Sequence, residues 1–220
     1  MNQSHWTAVD KYLTDLLVPP EPTMDDALAA SASADLPPIQ VSPNLGKLLY
    51  LLAKTQGAHR ILELGTLGGY STLWLARALP ADGRLITLEA KTKNAHVARD
   101  NIARAGFSNL VEVRVGRALD TLPEIAAENN PFDLIFIDAD KTSYPDYFTW
   151  ALKLSHPGSL IIADNVVRNG AIIDADSNDA NVQGVRRFND MMAAETRVSA
   201  TAIQTVGSKG YDGFAIALVT

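Results

Sequence analysis

Apolar residues follow two alternating patterns over most of the chain. Short and nearly continuous apolar runs predict buried strands over residues 60–64, 84–89, 110–115, 133–138 and 159–164. Apolar positions at helical spacing predict helices between these strands, over residues 70–79, 92–105, 118–128 and 144–154. Short buried strands that alternate with helices indicate a parallel sheet covered by helices on both faces.

The C-terminal end of the chain departs from this alternation. A helix predicted over residues 181–195 is followed by two strand-like segments, 199–206 and 210–219. Only a short turn separates the two segments, so they are expected to form a hairpin. Because the strands of a hairpin are antiparallel, the sheet is expected to end in an antiparallel strand.

The N-terminal end is helical. Apolar positions at helical spacing predict three helices, over residues 7–17, 24–32 and 42–55. Ser42 is expected to cap the third helix, with Pro43 at its first position. The length suits one α/β domain over residues 1–220, in which residues 1–57 form a helical cover and residues 58–220 form the core.

The composition disfavours or excludes several kinds of partner and of chemistry. The net charge is −6 and no cluster of Lys and Arg is present, so a nucleic-acid partner is not expected. The chain has no cysteine, which excludes disulfides, thiolate catalysis and the usual zinc sites. The N-terminus is polar and no apolar run is long enough to span a bilayer, so we expect a cytoplasmic protein without membrane contact.

A glycine-rich segment follows the first predicted strand. It reads Glu63-Leu-Gly65-Thr-Leu-Gly68-Gly69-Tyr-Ser71 and leads into a helix. Glycines let the backbone approach a ligand closely, and the start of a helix offers free N–H donors. Glu89 ends the second strand, where an acid can accept hydrogen bonds from both hydroxyls of a ribose. These features together predict a cofactor that contains adenosine.

The spacing of the glycines discriminates between adenosine cofactors. The dinucleotide pattern G-x-G-x-x-G fails because Leu67 stands two positions after Gly65. Glu63 would repel a pyrophosphate but suits a cationic amino group, and this favours S-adenosylmethionine (SAM). A plain glycine turn between strand and helix is the structural alternative.

Acidic residues end the next two strands. Asp138-Ala-Asp140-Lys141 follows the fourth strand and Asp164-Asn165 follows the fifth. Asp138, Asp164 and Asn165 would offer three oxygen ligands at one edge of the sheet, which favours Mg²⁺, Ca²⁺ or Mn²⁺ over zinc. The alternative is that the two acids only cap the segments that follow them.

Lys141 is a candidate base because none of the four histidines lies in these motifs. A neighbouring cation favours the neutral form of a lysine, which can take a proton. The alternative is that Lys141 only pairs with Asp138 or Asp140.

The combined motifs resemble those of the cation-dependent O-methyltransferases. This family includes plant caffeoyl-CoA O-methyltransferase, its bacterial relatives and, more distantly, the catechol O-methyltransferases. The resemblance implies a Rossmann-like fold with a seven-stranded sheet, and a homodimer. It also implies that Asp138, Asp164 and Asn165 bind the metal, that Asp138 and Lys141 are catalytic, and that Asn169 touches the acceptor. The SAM contacts that it implies are Val41, Glu63, Gly65, Thr66, Ser71, Glu89, Ala118 and Asp140.

The departures from the family pattern lie in the acceptor region. The N-terminal lysine with which the plant enzymes contact a CoA ester has no match here, and the segment 168–182 lacks the plant pattern. Small ortho-dihydroxy aromatics, such as catechols, are therefore favoured as acceptors over CoA esters. The acids of this segment, Asp174, Asp176 and Asp179, are interpreted as a solvated loop rather than a second metal site.

Three other functions stay open. A metal-independent SAM methyltransferase acting on another acceptor is disfavoured by the Asp-Asn pair. A dehydrogenase or a nucleotide-binding module is disfavoured by the failed glycine pattern, and an inactive oligomerisation scaffold by the complete set of motifs.

Overall fold

The computed structural model describes residues 2–220, so residue 1 of the predicted N-terminal cover lies outside the described residues. The helices are α1 (Gln3–Leu17), α2 (Pro22–Ser33), α3 (Pro43–Gln56), α4 (Tyr70–Ala76), α5 (Thr92–Arg104), α6 (Ala118–Ala127), α7 (Tyr144–Lys153) and α8 (Ala180–Ala194). The strands are β1 (Arg60–Leu64), β2 (Arg84–Glu89), β3 (Val111–Val115), β4 (Phe132–Ile137), β5 (Ser155–Asp164), β6 (Val198–Gly207) and β7 (Gly210–Val219). Two 3₁₀ turns cover Lys141–Ser143 and Arg168–Ile173.

The seven strands form one sheet in the order β3-β2-β1-β4-β5-β7-β6. The strands β1 to β5 pair in parallel, while β7 pairs antiparallel with both β5 and β6. The mostly parallel Rossmann-like sheet with an antiparallel C-terminal strand is therefore confirmed. The strand order reverses between β1 and β4, and ligands of open α/β sheets bind at such a point, outside the carboxyl ends of the strands.

The strand β5 begins at Ser155, earlier than the predicted residue 159. The added residues pair only loosely, because the register between β4 and β5 shifts between Phe132 and Leu134. The hydroxyl of Ser159 fills this irregularity by donating to the carbonyl of Phe132 at 2.7 Å. The polar Ser-His-Pro-Gly sequence gave no apolar signal for a strand, so the pattern alone predicted a late start.

The core lies on both faces of the sheet. One face packs against α3, α4 and α5 through fully buried side chains that include Leu49, Leu73, Leu85, Ala98 and Phe136. The other face packs against α6, α7 and α8 through buried side chains that include Ile135, Tyr144, Phe148 and Phe188. Because both faces are covered, the central strands are apolar on both sides, and this is why they read as continuous apolar runs.

The first helix is fastened to the hairpin at the far edge of the sheet. The carboxylate of Asp10 accepts hydrogen bonds from the backbone N–H of Ser208 at 2.9 Å and from its hydroxyl at 2.6 Å. On the other side, Asn44 of α3 donates to Asp10. The ammonium of Lys209 donates to the carbonyl of Pro38 at 2.8 Å. These contacts hold α1, the segment before α3 and the β6–β7 turn together.

No helix within residues 2–220 is long and apolar enough to cross a membrane.

Candidate active site at the carboxyl edge of the sheet

The glycine loop between β1 and α4 runs in a conformation that its residue types permit. Gly65 has φ of +100° and Gly69 has φ of +86°, in the left-handed region that favours glycine. A Cβ on Gly65 would overlap the carbonyl oxygen of Asp138, so a glycine is also needed there for the close approach of the loop to the end of β4. The backbone of the loop therefore lies against the end of β4, at the crevice between β1 and β4.

The carboxylate of Glu89 holds this loop in place. Its Oε2 accepts the backbone N–H of Leu67 at 2.8 Å, and its Oε1 accepts the backbone N–H of Lys91 at 2.9 Å. The side-chain amide of Asn94 also donates to Oε1 at 3.3 Å. Leu67 itself has φ of +50°, a conformation that this hydrogen bond helps to hold. Glu89 thus lies at the end of β2 beside the glycine loop, as the sequence predicts.

A cavity of about 670 Å³ lies over the carboxyl ends of β1, β2 and β4. Most of the predicted site residues line it: Val41, Gly65, Thr66, Ser71, Glu89, Ala118, Asp138, Asp140, Lys141 and Asn165. We call it the first cavity. Its volume falls in the range of ordinary small-ligand sites.

Glu63 lies beneath the first cavity instead of on its wall. The side chain is fully buried and accepts hydrogen bonds from Ser71 at 2.6 Å, Thr72 at 2.5 Å and Thr87 at 2.7 Å. Burial raises the pKa of Glu63 to about 7, although the three hydroxyls act in the opposite direction. The structure thus differs from the expectation that Glu63 itself contacts the cofactor: it supports the hydroxyls of the cavity floor.

Two acids and an amide meet beside the first cavity. Asp138 follows β4 and Asp164 ends β5, and these are neighbouring parallel strands. Burial, and the negative charge of Asp138, raise the pKa of Asp164 to about 7. Asn165 has φ of +57°, which turns the chain at the end of β5. The three residues therefore form an oxygen-rich group at the ends of two neighbouring strands.

This group fits a hard divalent cation. Within residues 2–220 no three His, Cys, Asp or Glu side chains are placed to hold a metal ion, so the amide of Asn165 would have to serve as the third ligand. Burial, first, and the charge of Asp138, second, raise the pKa of Asp164, and a cation held between the two carboxylates would offset both effects. Oxygen donors of this kind suit Mg²⁺, Ca²⁺ or Mn²⁺.

Lys141 is buried next to the acids. Its ammonium donates to Oδ1 of Asp138 at 2.9 Å and to the hydroxyl of Tyr144 at 2.8 Å. The Tyr144 hydroxyl donates in turn to the carbonyl of Asp164 at 2.8 Å. The pairing of Lys141 with Asp138, one of the two alternatives, is therefore present, and it leaves the lysine on the wall of the first cavity.

A second cavity of about 510 Å³ adjoins the first. It lies between the segment before α3, the end of β5 and the β6–β7 turn. Its walls include Asp164, Phe214, Leu45 and Lys209. The residues Ile39, Gln40, Val41, Asn165 and Arg168 line both cavities, so the two spaces meet at the oxygen-rich group.

The structure does not bring Asn169 to this site. It is exposed and lines neither cavity, because the backbone turns through the left-handed region at Arg168 and Asn169, each with φ of +54°. Arg168 occupies the shared wall instead. Tyr147, which was not among the predicted site residues, lines the first cavity and donates to Asp140 at 2.5 Å. Its place on the first turns of α7, after the acidic motif, was the available signal.

Comparison with known proteins assigns the family. A sequence profile described as O-methyltransferase matches residues 18–217. The chain belongs to this family. The O-methyltransferase is 54% identical, over its whole length and that of the relative, to a protein of Niastella koreensis named catechol O-methyltransferase. It is 53% identical to a protein of the same name from Mycobacterium tuberculosis, with 96% of this chain and 94% of the relative covered.

Solved structures of similar proteins contain SAH or SAM, the cofactor that the sequence predicts. The O-methyltransferase matches an O-methyltransferase from Bacillus cereus in complex with SAH, with a TM-score of 0.97, 58% identity and all of both chains covered. It also matches the O-methyltransferase TomG from Streptomyces achromogenes in complex with SAM, with a TM-score of 0.97 and 54% identity over 100% of this chain and 99% of that one. The chain is a SAM-dependent O-methyltransferase, which confirms the predicted enzyme class and SAM as its cofactor.

Proposed function

We propose that the O-methyltransferase transfers a methyl group from SAM to a hydroxyl of a small ortho-dihydroxy aromatic, with the help of a divalent cation. The proposal rests on one observation: Asp138, Asp164 and Asn165 meet where the two cavities join. The first cavity suits SAM, and the second offers room for a small aromatic molecule. The names of the two bacterial relatives support a catechol acceptor.

The oxygen-rich group supports the metal part of the proposal. Asp164 is buried beside Asp138, and Lys141 is the cation paired with Asp138. One divalent cation, most simply Mg²⁺, held by Asp138, Asp164 and Asn165 would neutralise the repulsion between the two carboxylates. When bound there, it would lower the pKa of an aromatic hydroxyl in contact with it.

Lys141 is suited to take the proton of that hydroxyl. A neutral lysine has two N–H bonds and one lone pair. Lys141 donates to the carboxylate of Asp138 and to the hydroxyl of Tyr144 and lines the first cavity, so it would be placed to take the proton when a cation bound beside it favours its neutral form. The rest of the chain contributes by positioning, since methyl transfer needs the oxygen, the methyl carbon and the sulfur in line.

The test compares Asp164→Asn with Asp176→Asn, which removes an exposed acid of the loop before α8. We measure Mg²⁺ binding by calorimetry and catechol methylation after chelation and after adding Mg²⁺ back. We expect chelation to abolish methylation, Mg²⁺ to restore it, and Asp164→Asn to lose both Mg²⁺ binding and activity. The Asp176→Asn variant is expected to behave as the unchanged protein.

Full activity in the presence of a chelator would refute the metal requirement. It would favour the second candidate, a metal-independent SAM methyltransferase with another acceptor. Mg²⁺ binding that survives Asp164→Asn would refute the assignment of the ligands.

The homodimer and the cytoplasmic location that the sequence led us to expect stay predictions. An apolar stripe on α1 supports a dimer, because its side chains lie exposed at helical spacing: Val9, Tyr12, Leu13, Leu16 and Leu17. Sedimentation of the protein and of a Leu16→Glu variant tests this. A monomer at every concentration, with or without the substitution, would contradict it.

A further inference from the structure

Two cations line the second cavity without an acidic partner. Arg168 lies on the wall that the two cavities share, and Lys209 lies on the turn between β6 and β7. Within residues 2–220 neither side chain forms an ion pair. In the part of the chain that the structure describes, Lys209 donates only to the carbonyl of Pro38. A cavity with two unpaired cations is suited to an anion.

The three acids that line the second cavity interact with groups other than the two cations. Asp212 accepts three backbone N–H groups, those of Val167, Arg168 and Gly213, at 2.9 to 3.0 Å. Asp10 accepts hydrogen bonds from Ser208 and from Asn44. The third acid, Asp164, belongs to the oxygen-rich group. None of the three is therefore paired with the two cations.

The backbone of Arg168 is fixed by a hydrogen bond, whereas a donor of its side chain has no hydrogen-bond partner among the described residues. Its N–H donates to Asp212 at 2.9 Å, and its φ of +54° lies in the left-handed region. The Nε atom is buried and has no hydrogen-bond partner among residues 2–220. A buried donor without a partner is costly. The guanidinium that carries it lies on the wall of both cavities and, within residues 2–220, has no acidic partner.

We propose that Arg168, assisted by Lys209, binds a carboxylate carried by the acceptor, so that the preferred substrates are ortho-dihydroxy aromatic acids. The inference rests on the proposed function, because the hydroxyl end of the acceptor has to lie at Asp164 and Asn165. Asn165 lines both cavities, as Arg168 does, so the carboxylate and the reacting hydroxyls lie close together. This geometry fits an acid group on the ring or on a short side chain.

The carboxylate of SAM is a second possible partner, since Arg168 also lines the first cavity. The experiment separates these two sources by testing an acid and its neutral ester. The probes are 3,4-dihydroxybenzoate and methyl 3,4-dihydroxybenzoate, which carry the same two hydroxyls. The affinity for SAM is measured separately by calorimetry.

We compare Arg168→Gln with Arg187→Gln, which removes an exposed arginine of α8. We expect Arg168→Gln to lower kcat/KM for the acid by about 10- to 100-fold, as expected for the loss of a charge-assisted hydrogen bond. For the ester, kcat/KM should stay within a factor of about three, and SAM affinity should be retained. Lys209→Gln is expected to give a smaller loss for the acid only, and Arg187→Gln no loss.

Two results would overturn the inference. Equal losses for acid and ester would mean that Arg168 only shapes the cavity. A loss of SAM affinity with an unchanged acid-to-ester ratio would assign Arg168 to the carboxylate of the cofactor. Calorimetry with both probes in the presence of SAH and Mg²⁺ keeps the test independent of turnover. If neither probe is methylated, the proposed function fails, while the acid-to-ester ratio of affinities still decides the role of Arg168.

Discussion

The Glu63→Gln substitution would replace the buried carboxylate beneath the first cavity by a neutral side chain of nearly the same shape. In the folded protein this carboxylate is fully buried, and it accepts hydrogen bonds from Ser71, Thr72 and Thr87. Desolvation by burial, reinforced by the negative charge of Asp138, raises its pKa to about 7 from an ordinary value of 4.5. The folded protein therefore holds the proton of Glu63 more tightly than the unfolded chain does.

The sign and size of the effect follow from this difference. Below pH 4.5 the side chain is protonated in both states, and its ionisation costs no stability. As the pH rises from 4.5 to 7, the unfolded chain releases the proton first, so the free energy of unfolding falls. The full loss, reached above pH 7, is about 3 kcal/mol. Glu63→Gln removes this loss, so the variant should become more stable than the unchanged protein as the pH rises.

Urea unfolding between pH 5 and pH 8.5 measures this effect. We expect the difference in unfolding free energy between Glu63→Gln and the unchanged protein to grow with pH and to level off near pH 8. Glu124→Gln, which removes an exposed acid of α6, serves as the control. A difference for Glu63→Gln that is independent of pH would refute the reasoning.

The same substitution should weaken cofactor binding. Above about pH 7, an ionised Glu63 draws the hydroxyl hydrogens of Ser71 and Thr87 towards itself, and the hydroxyl oxygen of Thr87 lies 2.6 Å from that of Thr66. Ser71 and Thr66 are thereby left with oxygen lone pairs towards the first cavity, which suit the positive charge of SAM. An amide at position 63 also donates, so one of these hydroxyls would turn. We expect SAM affinity to fall about tenfold, as for one lost charge-assisted hydrogen bond. Unchanged affinity in calorimetry would contradict this role.

Three further substitutions test the supports of the site. Gly184→Ala would place a Cβ against the backbone of Lys141, so we expect kcat for catechol to fall while SAM affinity is largely kept. Gly65→Ala combines a φ of +100° with an overlap on the carbonyl of Asp138, so we expect a clearly lower melting temperature and loss of SAM binding in calorimetry. The carbonyl of Pro157 and the carboxylate of Asp133 raise the pKa of His156. The stability that His156 contributes is therefore complete below about pH 6.5 and is lost as the pH rises through the raised value. The melting temperature of His156→Asn should thus lie furthest below that of the unchanged protein at acidic pH; a pH-independent gap would contradict this.

The sequence predicts the architecture closely because the central strands of the sheet are buried on both faces. The strands β1, β2, β4 and β5 carry mostly apolar runs, and the start of β1, at Arg60, and the end of β2, at Glu89, match the predicted bounds. The closing hairpin was also predicted, since a short turn leaves its two strands no choice but to run antiparallel. The bounds differ most at the start of α1, which begins at Gln3 instead of residue 7, and at the start of β5, where polar residues join the sheet through an irregular register.

Most residues of the site could also be predicted from the sequence. Parallel strands bring their carboxyl ends to one edge, so residues that follow β1, β2, β4 and β5 had to meet there. This places Gly65, Glu89, Asp138 and Asn165 on one cavity. The motif order alone was enough for this conclusion, because each residue ends a recognisable strand or directly follows one.

Only the tertiary structure decided how far each side chain reaches. Glu63 and Ser71 belong to the same glycine-rich segment. The carboxylate of Glu63 is nevertheless buried below the floor of the first cavity, whereas Ser71 lines this cavity. A turn through positive φ moved Asn169 outwards and brought Arg168 onto the wall. A strand pattern determines where its end lies, whereas the direction of a loop side chain depends on hydrogen bonds to distant residues, such as the one from Arg168 to Asp212. The sequence by itself therefore determined that the functional residues lie at the carboxyl edge of the sheet. Contacts with the C-terminal hairpin, such as the hydrogen bond from Arg168 to Asp212 of β7, decided which side chains line the cavities there.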